Sequence, residues 1–338
     1  MAEEDTRALG RNGLRDSMLG DRRGERNQPN KRLRRMCGNV GGRLRQHGHL
    51  CIVTADVTCA AFNTIARKAC AAWNPYGMAT DRRLTYGSYL RVDELLSLQQ
   101  PQSEPAHHDE LLFIIIHQVY ELWFRQLLHE IEAAMRNLAA DDLLKVGKNF
   151  RRIHAIQRLL EQQVDVLETM TPQEFNAFRA GLNPASGFQS TQFREIEFLC
   201  GTQKTGYLTF LEPTSTERAR LEARLAAPTL PDALKALLVR HGFQTQDSAA
   251  LIATYRTIYE NEEQYYALYL LLEDCIEFDE RFLLWRGRHV RMVERMIGMK
   301  SGTGGSLGAR YLQTTLDKRF FPELWDMRTY LGTDSTEG

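Results

Sequence analysis

The chain has 338 residues, and 43 Lys and Arg balance 43 Asp and Glu, so the formal charge is zero and no global electrostatic drive toward nucleic acid or acidic membranes exists. The hydrophobic share of 43% is that of an ordinary globular protein, and no run approaches the roughly 18 uninterrupted apolar residues of a membrane span. Six cysteines without a C-x-x-C pair argue against a zinc knuckle or a disulfide framework and for a reducing, cytoplasmic setting.

Residues 1–80 differ from the rest. Up to Gly48 they are rich in Arg, Gly and Asn, with a basic cluster at Lys31, Arg32, Arg34 and Arg35. Low hydrophobicity and high charge predict disorder there. No aromatics interleave with the charges, which speaks against a nucleic-acid arm. Residues 51–73 are mildly apolar but broken by Asp56, Arg67 and Lys68. Met78 stands just before the first strongly patterned segment and is a candidate start, with residues 1–77 dispensable. The expected division is a basic extension, 1–80, and a helical domain, 81–338.

Patterned sequence begins with a short helix over 84–96. Pro101 and Pro105 mark a loop, and a long helix follows from about 106 to 139, with its apolar stripe at Phe113, Ile116 or His117, Tyr120, Phe124, Leu127 and Ile131. A second long helix, about 142–169, carries Val146, Phe150, Ile153, Ile156, Leu160 and Val164. Thr171, Pro172 and Glu174 form a capping box with proline at the first helical position, opening a helix that ends near Leu182. Turn residues fill 183–190, and a helix covers about 192–200. Two short amphipathic helices are predicted near 215–226 and 231–240, then one very long helix from about 250 to 298. The last segment, 312–330, carries Phe320, Phe321 and Trp325. Strand patterns are scarce, so the class is all-α, an antiparallel helical bundle.

Two histidines sit on apolar helical faces. His289 shares a stripe with Phe282, Trp285, Met292, Val293 and Met296, while Arg286, Arg288, Arg291 and Arg295 fall mostly off it. Such a histidine is either a hydrogen-bonded core residue or an axial ligand, since a neutral imidazole in an apolar slot is how many proteins hold haem iron. The arginine rim suits haem propionates and equally suits solvent. His117, flanked by Phe113 and Phe124, has the same two readings, and the pair together favours function. Arg179, at the end of an amphipathic turn, is either solvated or a clamp on a carboxylate. Lys300 to Gly308 is a glycine-rich run that lets backbone approach a ligand, but it lacks the closing Lys-Ser/Thr of a phosphate loop. Glu104 and His107 resemble half of a di-iron motif whose second half is absent.

Segments 84–90, 104–118, 184–190, 285–291 and 301–308 together resemble tryptophan 2,3-dioxygenase, a haem enzyme family, from about Arg83 to near the C-terminus. The ordered motifs Glu-Pro-Ala-His-His-Asp-Glu, Ser-Gly-Phe-Gln-Ser and Gly-Thr-Gly-Gly-Ser carry the resemblance. Residues 1–80 have no counterpart in it.

The resemblance implies an all-helical homotetramer with a haem pocket. Such an enzyme cleaves the indole C2–C3 bond of L-tryptophan with O2 to give N-formyl-L-kynurenine, the first step of tryptophan catabolism by the kynurenine route, and uses haem b (Fe2+). By the same resemblance His289 is the proximal iron ligand, and His117 lies on the distal side, hydrogen-bonded to the indole N–H. Phe113 packs on the indole, with Ile114, Ile115 and Ile116 in the same substrate-binding segment. Arg179 pairs with the substrate carboxylate, Thr303 holds the amino-acid end, and Phe175 lines the pocket. Ser186 and Gly187 lie near the haem. Tyr86, Tyr89 and Leu90 match residues that reach a neighbouring subunit's site. Phe175 and Phe193 stand where some relatives have tyrosine, so hydroxyl contacts there are lost. Two alternatives are a related haem dioxygenase with another indole substrate and a non-catalytic helical haem-binding protein.

Overall fold

The computed structural model describes residues 84–202, 205–303 and 308–332. The expectations for residues 1–80 and for Gly304 to Leu307 lie outside them. Among the described residues every regular element is a helix, as the all-α reading predicts.

The first predicted helix is two: α1 (Tyr86–Leu90) and α2 (Val92–Leu96). They part at Arg91, which takes φ 52 and ψ 46 and both ends α1 and opens α2. A left-handed non-glycine residue costs free energy. The ion pair of Arg91 with Glu94, inside the first turn of α2, holds it there. A loop then leads to α3 (His108–Ala139). Glu110, buried at the start of α3, accepts from the Gln102 N–H at 2.7 Å and the Ser103 N–H at 3.1 Å, pinning that loop to the helix.

Three residues join α3 to α4 (Leu143–Leu167), and the two pack against each other. Asp142 caps α4 by accepting from the Lys145 N–H. Next come α5 (Pro172–Arg179), α6 (Thr191–Leu199), α7 (Thr216–Ala226), α8 (Leu230–Arg240), α9 (Ser248–Glu260), α10 (Tyr266–Ile297), α11 (Ala309–Gln313) and α12 (Pro322–Met327). The capping box of α5 forms as predicted, with Glu174 N–H donating to Thr171 Oγ1 and Thr171 N–H to Glu174 Oε2. The predicted stripes of α3 and α4 meet in one core: Phe124, Leu127 and Ile131 pack with Phe150, Ile153 and Leu160, and with Leu272, Phe278 and Phe282 of α10. By length and composition α3 is apolar enough to cross a membrane, but it packs on α4, α6 and α8 and places Phe124, Leu127 and Ile131 in this core.

The predicted helix from 250 to 298 is interrupted. It breaks between α9 and α10, where Asn261 leaves helical geometry at φ −122 and ψ 45. Its side chain donates to the Thr257 carbonyl at 2.8 Å, a local bond that competes with the helical ladder. Neither Gly nor Pro marks the break, so apolar periodicity runs straight across it.

Between α4 and α10, His154 is buried and donates from Nε2 to the Asp274 carbonyl at 3.1 Å. The Asp274 and Glu277 carboxyls lie 3.9 and 3.6 Å from its Nδ1. Burial holds this imidazole well below its usual range, while burial and then Glu277 push Asp274 up to about 7. The two work in opposite directions. The histidine stabilises the fold above its unfolded pKa near 6.5 and withdraws that support as pH falls. The carboxyl costs stability as pH rises from its unfolded value, near 4, to about 7. The urea midpoint of His154→Gln is therefore expected to rise less between about pH 4.5 and 6.5 than that of the parent, and that of Asp274→Asn to rise more. Midpoints that track the parent across this range contradict the assignment.

Candidate active site

α10 repeats every 3.6 residues, so Trp285, His289, Met292 and Met296 form one stripe. Across from it, α3 presents Phe113, His117 and Tyr120. With α5, the turn at 186–190, α6 and the segments at 302–303 and 308–315, these walls enclose a cavity of about 290 Å3. Its lining includes Phe113, His117, Phe175, Arg179, Ser186, Gly187, His289 and Thr303, so eight of the residues singled out in the sequence meet in one place.

Others do not. One residue turns a helix by about 100°, so only Phe113 and His117 of the 113–117 run face the cavity. Ile116 is buried instead in a second core with Val164, Leu167, Phe178 and Met292. Ile115 is exposed, and Ile114 is half-buried off the cavity wall. Tyr86, Tyr89 and Leu90 lie outside the cavity lining and are 78%, 69% and 44% exposed, which leaves an apolar arm open to solvent.

The two histidines differ in their bonding. His117 Nδ1 lies 2.7 Å from the Phe113 carbonyl oxygen. A carbonyl only accepts, so Nδ1 carries the proton and Nε2 keeps its lone pair. Burial lowers the His117 pKa, opposed by the Phe113 carbonyl and the Glu121 carboxylate. Phe113 packs on the ring at 4.1 Å between centroids, tilted by 39°, and Phe175 and Phe178 extend that aromatic wall at 5.5 and 5.7 Å from Phe113. His289 has no hydrogen bond or ion pair to its ring among the described residues. Burial, and then His117, lower its pKa to about 4, so it is neutral at physiological pH with an available lone pair.

Arg179 donates to the Ser301 carbonyl, and Thr303 Oγ1 donates to the Ala185 carbonyl at 2.6 Å. The segment after α10 is thereby tied to the 183–190 turn at the cavity rim. Ser186 Oγ accepts from the Phe188 N–H at 3.3 Å and caps the short turn of Gly187 to Gln189. A Cβ on Gly187 would meet nothing within 4 Å.

Sequence reasoning missed a charged cluster on the same wall. Arg286, expected off the apolar stripe on a rim suited to propionates or to solvent, is 4% exposed. It donates to the Lys318 carbonyl at 2.6 Å, lies 3.7 Å from Glu197 and rests on the Phe320 ring at 5.2 Å. Glu197 also pairs with Arg194, which lies over Phe188. The available signal was the Arg194/Glu197 pair at i and i+3, within a stretch of α6, Arg194 to Leu199, that is buried all round. The other expected rim arginines are surface groups: Arg288 pairs with Asp165 and Glu168, Arg295 with Glu168, and Arg291 is exposed. Glu121 was missed too. Its backbone carbonyl and its Oε2 accept from Gln192 Nε2 at 2.9 and 2.8 Å.

The fold and cavity define a class: an all-helical protein whose aromatic pocket carries two unlike imidazoles, one a fixed acceptor and one a free donor of a lone pair. The chain matches the family model for tryptophan 2,3-dioxygenase over residues 76–239 and 221–331. It is 52% identical over 254 residues to the tryptophan 2,3-dioxygenase of Nocardioides sp., covering 74% of this chain and 95% of that protein. It is 46% identical over 274 residues to that of Xanthomonas campestris pv. campestris, covering 77% and 92%, and 44% identical over 272 residues to that of Kineococcus radiotolerans, covering 76% and 95%. The chain belongs to the tryptophan 2,3-dioxygenase family.

Gly308 lines the cavity at φ 57 and ψ −133, a region open essentially to glycine alone, and a Cβ there would collide with the Lys300 carbonyl oxygen. Gly308→Ala is expected to shift the segment carrying Ser301 and Thr303, raising KM by about tenfold or more while far-UV circular dichroism stays at the parent value. An unchanged KM would show that the segment tolerates the shift.

Proposed function

We propose that this chain is a haem-dependent dioxygenase that cleaves the indole C2–C3 bond of L-tryptophan with O2 to give N-formyl-L-kynurenine. Family membership supports the reaction class. The observation that carries the site assignment is the pair of imidazoles facing one aromatic cavity, only one of them tied by a hydrogen bond.

The residues present suit a haem. His289 offers a neutral imidazole with no competing partner among the described residues, on an apolar helical face, which is the chemistry of an axial iron ligand. Ser186 and Gly187 lie on the cavity wall, and nothing crowds the Cβ direction of Gly187. Ferrous haem b, when bound, supplies the oxygen chemistry, and the protein supplies position and dryness.

His289 would hold the iron. Phe113, already packed against His117, would pack on the indole. The His117 Nε2 lone pair would accept the indole N–H and fix the ring's orientation. Arg179 would exchange its bond to the Ser301 carbonyl for the stronger one to a substrate carboxylate. Thr303, at the same rim, would hold the amino group. Holding both ends of the amino acid fixes the reacting bond, and orientation is a large share of such catalysis. Tyr86, Tyr89 and Leu90, exposed in the single chain, would be covered in a homotetramer and complete a neighbour's site.

The direct test is haem-loaded, reduced protein mixed with L-tryptophan in air. Absorbance of the formylated product is expected; its absence from fully loaded tetramer refutes the reading. Substituted tryptophans assayed alongside distinguish the related enzyme with another indole substrate. His289→Ala is expected to lose haem, seen as loss of the Soret band after desalting. His117→Ala is expected to keep haem with reduced turnover, since a hydrogen bond and not a ligand is removed. For Arg179→Ala, KM for L-tryptophan should rise by roughly one to two orders of magnitude. An unchanged KM removes Arg179 from the carboxylate site.

A further inference from the structure

A histidine that ligates a metal almost always has its second ring nitrogen held by a carboxylate, a backbone carbonyl or water, which fixes the plane of the ring. Among the described residues no protein group bonds the His289 ring. Its one ring contact is Trp285, a turn earlier on α10, with centroids 5.8 Å apart and planes only 14° apart. Positions four apart on a helix stand over one another, so this stack is built into the helix register.

Trp285 is itself held on several sides. Phe193 lies 5.3 Å away, Tyr120 6.1 Å, Phe124 6.2 Å and Phe282 6.4 Å, all tilted or edge-on to the indole. Tyr120 is in turn fixed by donating its hydroxyl to the Leu160 carbonyl at 2.8 Å. Of the five rings around Trp285, only His289 lies nearly parallel to it. The indole N–H lies near the Tyr120 hydroxyl without meeting hydrogen-bond geometry.

We propose that Trp285 is a positioning residue for the iron ligand, setting the plane of the His289 imidazole by a flat ring stack. Rings from α3, α6 and α10 act on one indole, which fixes the histidine in turn. Orientation then passes from packing to the ligand. This inference rests on His289 being the haem ligand.

The test uses haem-loaded, reduced enzyme and the iron–histidine stretching band in resonance Raman spectra. Trp285→Leu keeps an apolar side chain but cannot stack; Trp285→Phe keeps a flat ring. The leucine variant is expected to bind haem with a shifted or broadened band, reflecting several ring orientations, and the phenylalanine variant to restore a single narrow band close to the parent's. A leucine variant with the parent's band position and width overturns the proposal. So does a phenylalanine variant as disturbed as the leucine one, because volume and not the flat ring would then matter. If Trp285→Leu does not assemble, Trp285→Met is read in the same way. His289→Ala is the separate control: an iron–histidine band that persists in it shows that another residue ligates, which defeats the ligand assignment whatever Trp285 does.

Discussion

The cavity depends on how the C-terminal segment is fastened to α10. Asp279 is fully buried, and its carboxyl accepts from the Phe320 N–H at 3.0 Å, the Phe321 N–H at 3.1 Å and the Trp325 indole N–H at 3.1 Å. A carboxylate is costly to bury unless donors replace its water, and three do so here. Two turns later, on the same side of the helix, Arg286 bonds the Lys318 carbonyl. At about 100° per residue, the stripe of Trp285, His289, Met292 and Met296 lies roughly a third of a turn around from these anchors. Clamping residues 318–325 to one face of α10 thus fixes which face is left to wall the cavity.

Local sequence carried the parts of this structure that depend on neighbours within a turn or two. The stripes of α3 and α4 and the capping box at Thr171 are relations of that kind, and each formed. The break at 261–265 was hidden because an asparagine side chain causes it, and Asn261 carries no strong breaker signal of its own. The division at Arg91 was hidden for a similar reason, since an arginine gives no signal for the left-handed geometry that it takes there. Ile114 to Ile116 entered the expected site only as neighbours of Phe113 and His117 in a continuous apolar run. Helical geometry separates them, as the period itself could have indicated.

Arg286 shows a different limit. Its helical position sets it off the apolar stripe, and for a helix on its own that means solvent. Burial arises because α6 brings Glu197 to it and the C-terminal segment brings a carbonyl and the Phe320 ring. Desolvation lowers its pKa, with Glu197 and Asp279 opposing. A buried arginine becomes legible only when partners distant in sequence are known, and a single chain read in order does not pair them.

The unequal treatment of the two histidines follows from the same division between local and distant contacts. The proton on His117 is assigned within one helical turn, because the Phe113 carbonyl lies four residues earlier on α3. The same residue contributes the ring that packs on the imidazole. One stretch of helix therefore specifies an acceptor aimed at the cavity, whatever the rest of the chain does. On α10 no such bond forms among the described residues, and neither nitrogen of His289 has a hydrogen-bond partner among them. An imidazole nitrogen that accepts no hydrogen bond keeps its lone pair available to a ligand. The rings that α3 and α6 place around Trp285, which stacks on His289, are the packing that the folded chain provides there.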